Sequence, residues 1–165
     1  MANKILNGQD TAIVIKESGG DVTFTPKNIA NNTGWMSDSI DLGENFADRY
    51  AVELQSELQV APDAGLGIEV YWATSKDDSV WPGKVTGSDA AYPATVDDNK
   101  KQLTLLGSLI CHNTTDAQIK TLGLRPIGRY GVIVWVNKTE QTLTNVAADH
   151  IVTLTPIVPE IQDAT

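Results

Sequence analysis

Along residues 50–58 (Tyr50-Ala51-Val52-Glu53-Leu54-Gln55-Ser56-Glu57-Leu58) polar and apolar side chains alternate. In an extended strand Val52, Leu54 and Leu58 share one face, and Glu53, Gln55 and Glu57 share the other. That period of two predicts a half-buried antiparallel strand with one wet face. Pro62-Asp63-Ala64-Gly65 then turns the chain into Gly67-Ile68-Glu69-Val70-Tyr71-Trp72-Ala73-Thr74, which puts Ile68, Val70 and Trp72 on one side. Such a pair has to bury its apolar side against a second layer.

The same reading extends in both directions. Residues 11–16 and 21–25 flank Ser18-Gly19-Gly20 and read as an N-terminal hairpin. Residues 28–34 form a polar loop, and residues 35–42 a strand broken at Gly43. Strands resume at residues 103–110, 117–122, 129–136 and 149–156. Between them, residues 75–99 carry Asp77, Asp78, Asp89, Asp97, Asp98, Pro82 and Pro93 without a sustained period. A loop of that length inside a compact domain is uncommon and usually functional. It reads as an excursion packed down by Trp81 and Tyr92. Helical turns fit only residues 45–49 and 116–121. The expected fold is all-β: an antiparallel β-sandwich of jelly-roll type over residues 1–165, with extended arms at 1–10 and 157–165.

Charge narrows the partners. A formal net charge of −9 leaves no basic stripe, which argues against direct nucleic-acid binding and against anionic membrane. No apolar run approaches the roughly 20 residues of a membrane helix, and no signal-like segment follows Met1-Ala2-Asn3-Lys4. The sequons at Asn31, Asn113 and Asn137 are accordingly read as chance. Cys111, the single cysteine, lies in an apolar stretch and reads as a buried, inert thiol. His112 next to it points to the opposite face of a strand.

No linear catalytic motif is present: no G-x-S-x-G, H-E-x-x-H, C-x-x-C, P-loop or dinucleotide fingerprint. A spatial triad leaves no such trace, so an enzyme stays open as a lesser reading. His150 reads as a structural, hydrogen-bonded residue. Asp77-Asp78 and Asp97-Asp98-Asn99 are oxygen-rich, but they lack the spacing of a calcium loop and read as solvated turns. No cofactor is expected. Tyr71, Trp72, Trp81 and Tyr92 raise a sugar-stacking option. The tail Ile157-Val158-Pro159-Glu160-Ile161 reads as an extended arm, because its prolines forbid a central strand. Trp81, Pro82 and Tyr92 in the loop, and Ile157, Val158 and Ile161 in the arm, are the candidate interface residues.

Several stretches resemble a group of small β-sandwich structural proteins of tailed-phage virions. They are Ile40-Asp41-Leu42-Gly43, Tyr50-Ala51-Val52-Glu53-Leu54, Val70-Tyr71-Trp72-Ala73-Thr74-Ser75 leading to Trp81-Pro82-Gly83, residues 128–137, and residues 149–156. The resemblance spans about residues 11–162 and carries no catalytic residues. It implies a virion protein assembled in the host cytoplasm, with capsid decoration as the first expectation. Such a protein would bridge neighbouring major capsid subunits from outside, as a homo-oligomer, with a trimer favoured. The alternatives are a head–tail adaptor, a tail or fibre-associated module, or a carbohydrate-binding module for host attachment.

Overall fold

The alternation at residues 50–58 is realised as a strand at the middle of a sheet, with Val52 and Leu54 fully buried and Glu53 exposed. The computed structural model describes residues 11–93 and 96–157. Its strands are β1 (Ile13–Ile15), β2 (Gly34–Met36), β3 (Ile40–Asp41), β4 (Tyr50–Ser56), β5 (Gly67–Ser75), β6 (Ala90–Tyr92), β7 (Thr104–Ile110), β8 (Gln118–Leu124), β9 (Tyr130–Lys138) and β10 (Ile151–Pro156). One short helix, α1 (Val96–Asn99), precedes a single 3-10 turn at Lys100–Gln102, and a second such turn spans Ala147–Asp149.

The strands form two antiparallel sheets. Sheet A has the order β1-β10-β4-β8, and sheet B the order β6-β2-β9-β5-β7 with β3 added to β9. Pairing is nested: β1 with β10, β2 with β9, β4 with β8 and β5 with β7. The sequence thus runs antiparallel to itself, outer strands pairing first with last. Ile13, Val52, Leu54, Val152 and Leu154 of sheet A meet Ile68, Val70, Trp72, Ile133 and Trp135 of sheet B in one core. Each aliphatic side chain buried there contributes on the order of 1.5–3 kcal/mol.

A second core lies on the other side of sheet B. There Tyr71, Ala73, Val132, Val134 and Val136 pack against Val85, Tyr92 and Val96 from the central excursion. This explains why residues 132–136 are apolar without alternation: successive side chains of β9 enter different cores, and all five are buried. At Gly131 the backbone lies against the Trp72 ring, where a Cβ would sit 1.7 Å from Cζ2.

Several expectations need correction. The N-terminal segment is not a hairpin. Gly19, at φ +66°, lets the chain swing round so that Val22 pairs with Ile15 in the parallel sense. Residues 35–42 are two short strands rather than one. Between Met36 and Ile40 lie four residue steps against three between Val134 and Gly131, so an extra residue bulges at 37–39. The central excursion is less irregular than expected, since β6 and α1 lie within it. The helical turn falls at α1, where Asp97 and Asp98 pair with Lys100 and Lys101 at i,i+3. Residues 116–121 also fitted a helical turn, but the strand expected at 117–122 is the one formed, as β8. Residues 1–10 and 158–165, the expected arms, lie outside the described residues apart from Ile157.

Candidate functional site

The two outer faces of the sandwich differ sharply. Sheet B is roofed by the excursion, whereas nothing among the described residues covers sheet A. Two pins hold the roof. Asp89 Oδ1 accepts hydrogen bonds from Trp35 Nε1 at 2.7 Å and Thr25 N at 2.9 Å, while Oδ2 accepts from Thr25 Oγ1 at 2.6 Å. The Asp89 amide donates to Asp38 Oδ1 at 2.6 Å. One carboxylate thus ties the excursion to the segment after β1 and to β2.

The second pin is ionic. Lys100 Nζ sits 2.6 Å from Glu69 Oε2 and 3.1 Å from Asp97, and Tyr71 OH donates to the same Glu69 oxygen at 2.9 Å. Burial opposes ionisation of both partners, yet the hydrogen bonds from Lys100 and Tyr71 hold Glu69 below its ordinary pKa. The reciprocal bonds to Glu69 and Asp97 hold Lys100 above its own. Lys138 also reaches Asp97, at 3.3 Å.

These contacts consume the carboxylates considered for calcium. Asp97 and Asp98 face lysines, and Asp77 accepts from the amides of Ser79 and Val80 to close its own turn. Among the described residues no group of three or more His, Cys, Asp or Glu side chains is placed to hold a metal ion.

Sheet A presents rows of mostly uncharged side chains on its outer face. The outward positions across the strands read Val14-Thr153-Glu53-Thr121, then Ile151-Gln55-Ile119, then Thr155-Ala51-Gly123. Glu53 is the one charged residue among these ten, in a chain whose charged fraction is 20%. Ile119 is 61% exposed. Depletion of charged side chains is one feature that such a face shares with the centres of protein interfaces.

The residues singled out in the sequence scatter. Tyr92 is no surface contact: it is 3% exposed, packs in the second core and donates its hydroxyl to Gly83 O at 2.6 Å. Burial pushes its pKa up to about 12. Trp81 and Pro82 are half-buried, and Trp81 lines a cleft with Ser79, Lys84, Thr86 and Gln102. Ile157 is half exposed at the far end of sheet A, remote in sequence from that cleft, and Val158 and Ile161 lie outside the described residues.

The buried polar groups are structural. His150 is fully buried, with Nδ1 3.0 Å from Ser56 Oγ and Nε2 3.3 Å from Thr144 Oγ1, and its ring stands edge-on to Trp135. Burial lowers its pKa. Cys111 is 2% exposed, and burial raises its thiol to about 11, which keeps it protonated and inert at neutral pH.

No known protein-family model matches this chain, and no curated protein matches it.

Proposed function

We propose that this chain is a structural protein of a tailed-phage virion, and that it decorates the outer capsid by seating sheet A on neighbouring capsid subunits. The observation that carries the reading is the bare, nearly uncharged outer face of sheet A on a chain of net charge −9. With one carboxylate among its ten outward side chains, this face costs less to desolvate than a densely charged one. The acidic remainder of the surface favours solubility and a position away from packaged DNA. The resemblance in strand and turn patterns supplies the virion context. The nested strand pairing agrees with a jelly roll, a fold that such shells reuse. A homotrimer is the proposed assembly state, with the major capsid protein as partner.

The test is cosedimentation of purified protein with DNA-free capsids of the same phage, alongside sedimentation equilibrium of the protein alone. Saturable capsid binding and a mass above 17.8 kDa support the reading. A protein that stays monomeric at high concentration and leaves the capsids bare overturns it.

A second reading rests on the Trp81 cleft, where a half-buried indole stands beside Lys84, Thr86 and Gln102. Stacking of a sugar ring on Trp81 would make the chain a host-attachment module. A glycan array decides this: binding that is lost in Trp81→Ala supports it, and an array without hits removes it. Tyr71 is not part of that site, because it is buried beneath the excursion.

A further inference from the structure

We propose, resting on the capsid reading, that Arg49 and Arg125 receive a carboxylate side chain of a capsid subunit at one end of sheet A, and that the hollow they line takes an aliphatic side chain beside it. The register of the sheet brings the two arginines together. The antiparallel β4–β8 ladder ends at Tyr50 opposite Leu124, so Arg49 and Arg125 stand opposite one another one step further on. On the other side of β4, the ladder with β10 ends at Pro156 opposite Tyr50, and the Ile157 amide continues it by donating to Arg49 O at 2.8 Å. Ala51 and Gly123, two residues from Arg49 and Arg125 along their strands, occupy outward positions, so alternation puts the arginine pair at the edge of the same face. Arg49, Tyr50, Gly123, Leu124, Arg125 and Ile157 together wall a hollow of about 200 Å³.

Like charges opposite one another across antiparallel strands are destabilising. Here neither guanidinium has an ion pair among the described residues, although the chain carries a net charge of −9. Arg129, the third arginine, shows what a carboxylate within reach does: its Nε and Nη2 donate to the two oxygens of Asp41, each at 2.6 Å. An arginine pair without a counter-ion, in so acidic a chain, points to an anion supplied by a partner. The walls say which kind. Tyr50, Leu124 and Ile157 offer apolar surface, which suits neither a hydrated inorganic anion nor a phosphate backbone, and the net charge disfavours nucleic acid. A carboxylate matches the planar donor fork of a guanidinium. Carried on a protein, it arrives with neighbouring side chains that can fill the hollow. An apolar cavity of about 150 Å³ accepts a benzene molecule, so this one has room for a branched aliphatic group. Gly123 keeps it open, since a Cβ there meets nothing within 4 Å. A second hollow, of about 220 Å³, shares Gly123, Leu124 and Arg125 and is bordered by Leu105 and Ile127, 55% and 86% exposed. Apolar contact therefore continues past the arginines.

The experiment is cosedimentation with DNA-free capsids of the same phage, with Tm and sedimentation mass measured on every variant. Arg49→Gln and Arg125→Gln are each expected to bind at least about tenfold more weakly, the loss that goes with a charge-assisted hydrogen bond. Their Tm should be unchanged or higher, because the repulsion across the strands is relieved. Gly123→Leu, which fills the hollow and keeps both charges, should weaken binding comparably at an unchanged Tm. Added salt should weaken binding of the native chain, and should do so far less when both arginines are replaced. Glutamine variants that bind as tightly as the native chain, or that lose binding only together with Tm, overturn the proposal. A fall in their sedimentation mass overturns it too, because the carboxylate would then come from a second copy of this chain. Capsids left bare by the native chain remove the capsid reading and this partner with it, a result distinct from equal binding by native and variant chains.

Discussion

Asp89 accepts hydrogen bonds from Thr25 and Trp35 and so joins three segments separated in sequence. Hydrogen bonds to a charged group contribute about 1.5–3 kcal/mol each at most, and these three fall on a single carboxylate. Asp89→Ala is therefore expected to cost about 2–3 kcal/mol, read as a lower urea midpoint with an unchanged m-value. His150 gives a second, pH-linked prediction. Its folded pKa lies below the ordinary 6.5 because burial disfavours the charged ring. The unfolded chain thus takes up a proton first as pH falls. Stability from His150 is complete above pH 6.5 and declines below it. Glu57 acts in the opposite sense nearer its ordinary 4.5, its pKa raised by burial and by Asp149 and Asp116. The His150 effect is accordingly read just below pH 6.5, and a His150→Gln variant should lose that slope in urea titrations.

Among the elements, β9 holds the architecture together, pairing with β2, β3 and β5 and sending side chains into both cores. Its entry depends on Gly131, over which the Trp72 ring lies. Gly131→Ala must displace that ring or the strand and should cost about 3 kcal/mol, within the range for overpacked cores. Gly123→Ala on β8 is the control: a Cβ there meets nothing within 4 Å, so its effect should stay within about 0.5 kcal/mol. Thermal unfolding of the pair separates close approach from a general glycine effect. The alternation that defines β4 was legible in the sequence because that strand has one wet face. The unbroken apolar run of β9 was legible as a strand, but nothing local said that a second core covered its far side. That information lies in Tyr92 and Val85, which meet β9 only through a chain excursion. For the same reason Tyr92 could be read both as the anchor of its loop, which it is, and as an interface residue, and Asp89 looked like an ordinary loop acid.

At the scale of the whole molecule, one face is roofed and the other is bare. The roof covers the outer face of sheet B, which leaves sheet A as the broad, nearly uncharged face among the described residues of an acidic protein. This asymmetry was not readable from the chain, since register decides which residues share a row. Thr153 and Thr121 lie either side of Glu53 in one such row. Arginine at 153 can pair with Glu53 across the strands, so the fold should tolerate it, while a cation on the face would have to be desolvated in any interface. The most direct test is capsid cosedimentation of the native chain against Thr153→Arg and Thr121→Arg, with Tm measured on each. Docking through sheet A predicts that both variants keep Tm within about 2 °C and bind capsids at least tenfold more weakly. Undiminished binding by both variants would contradict it.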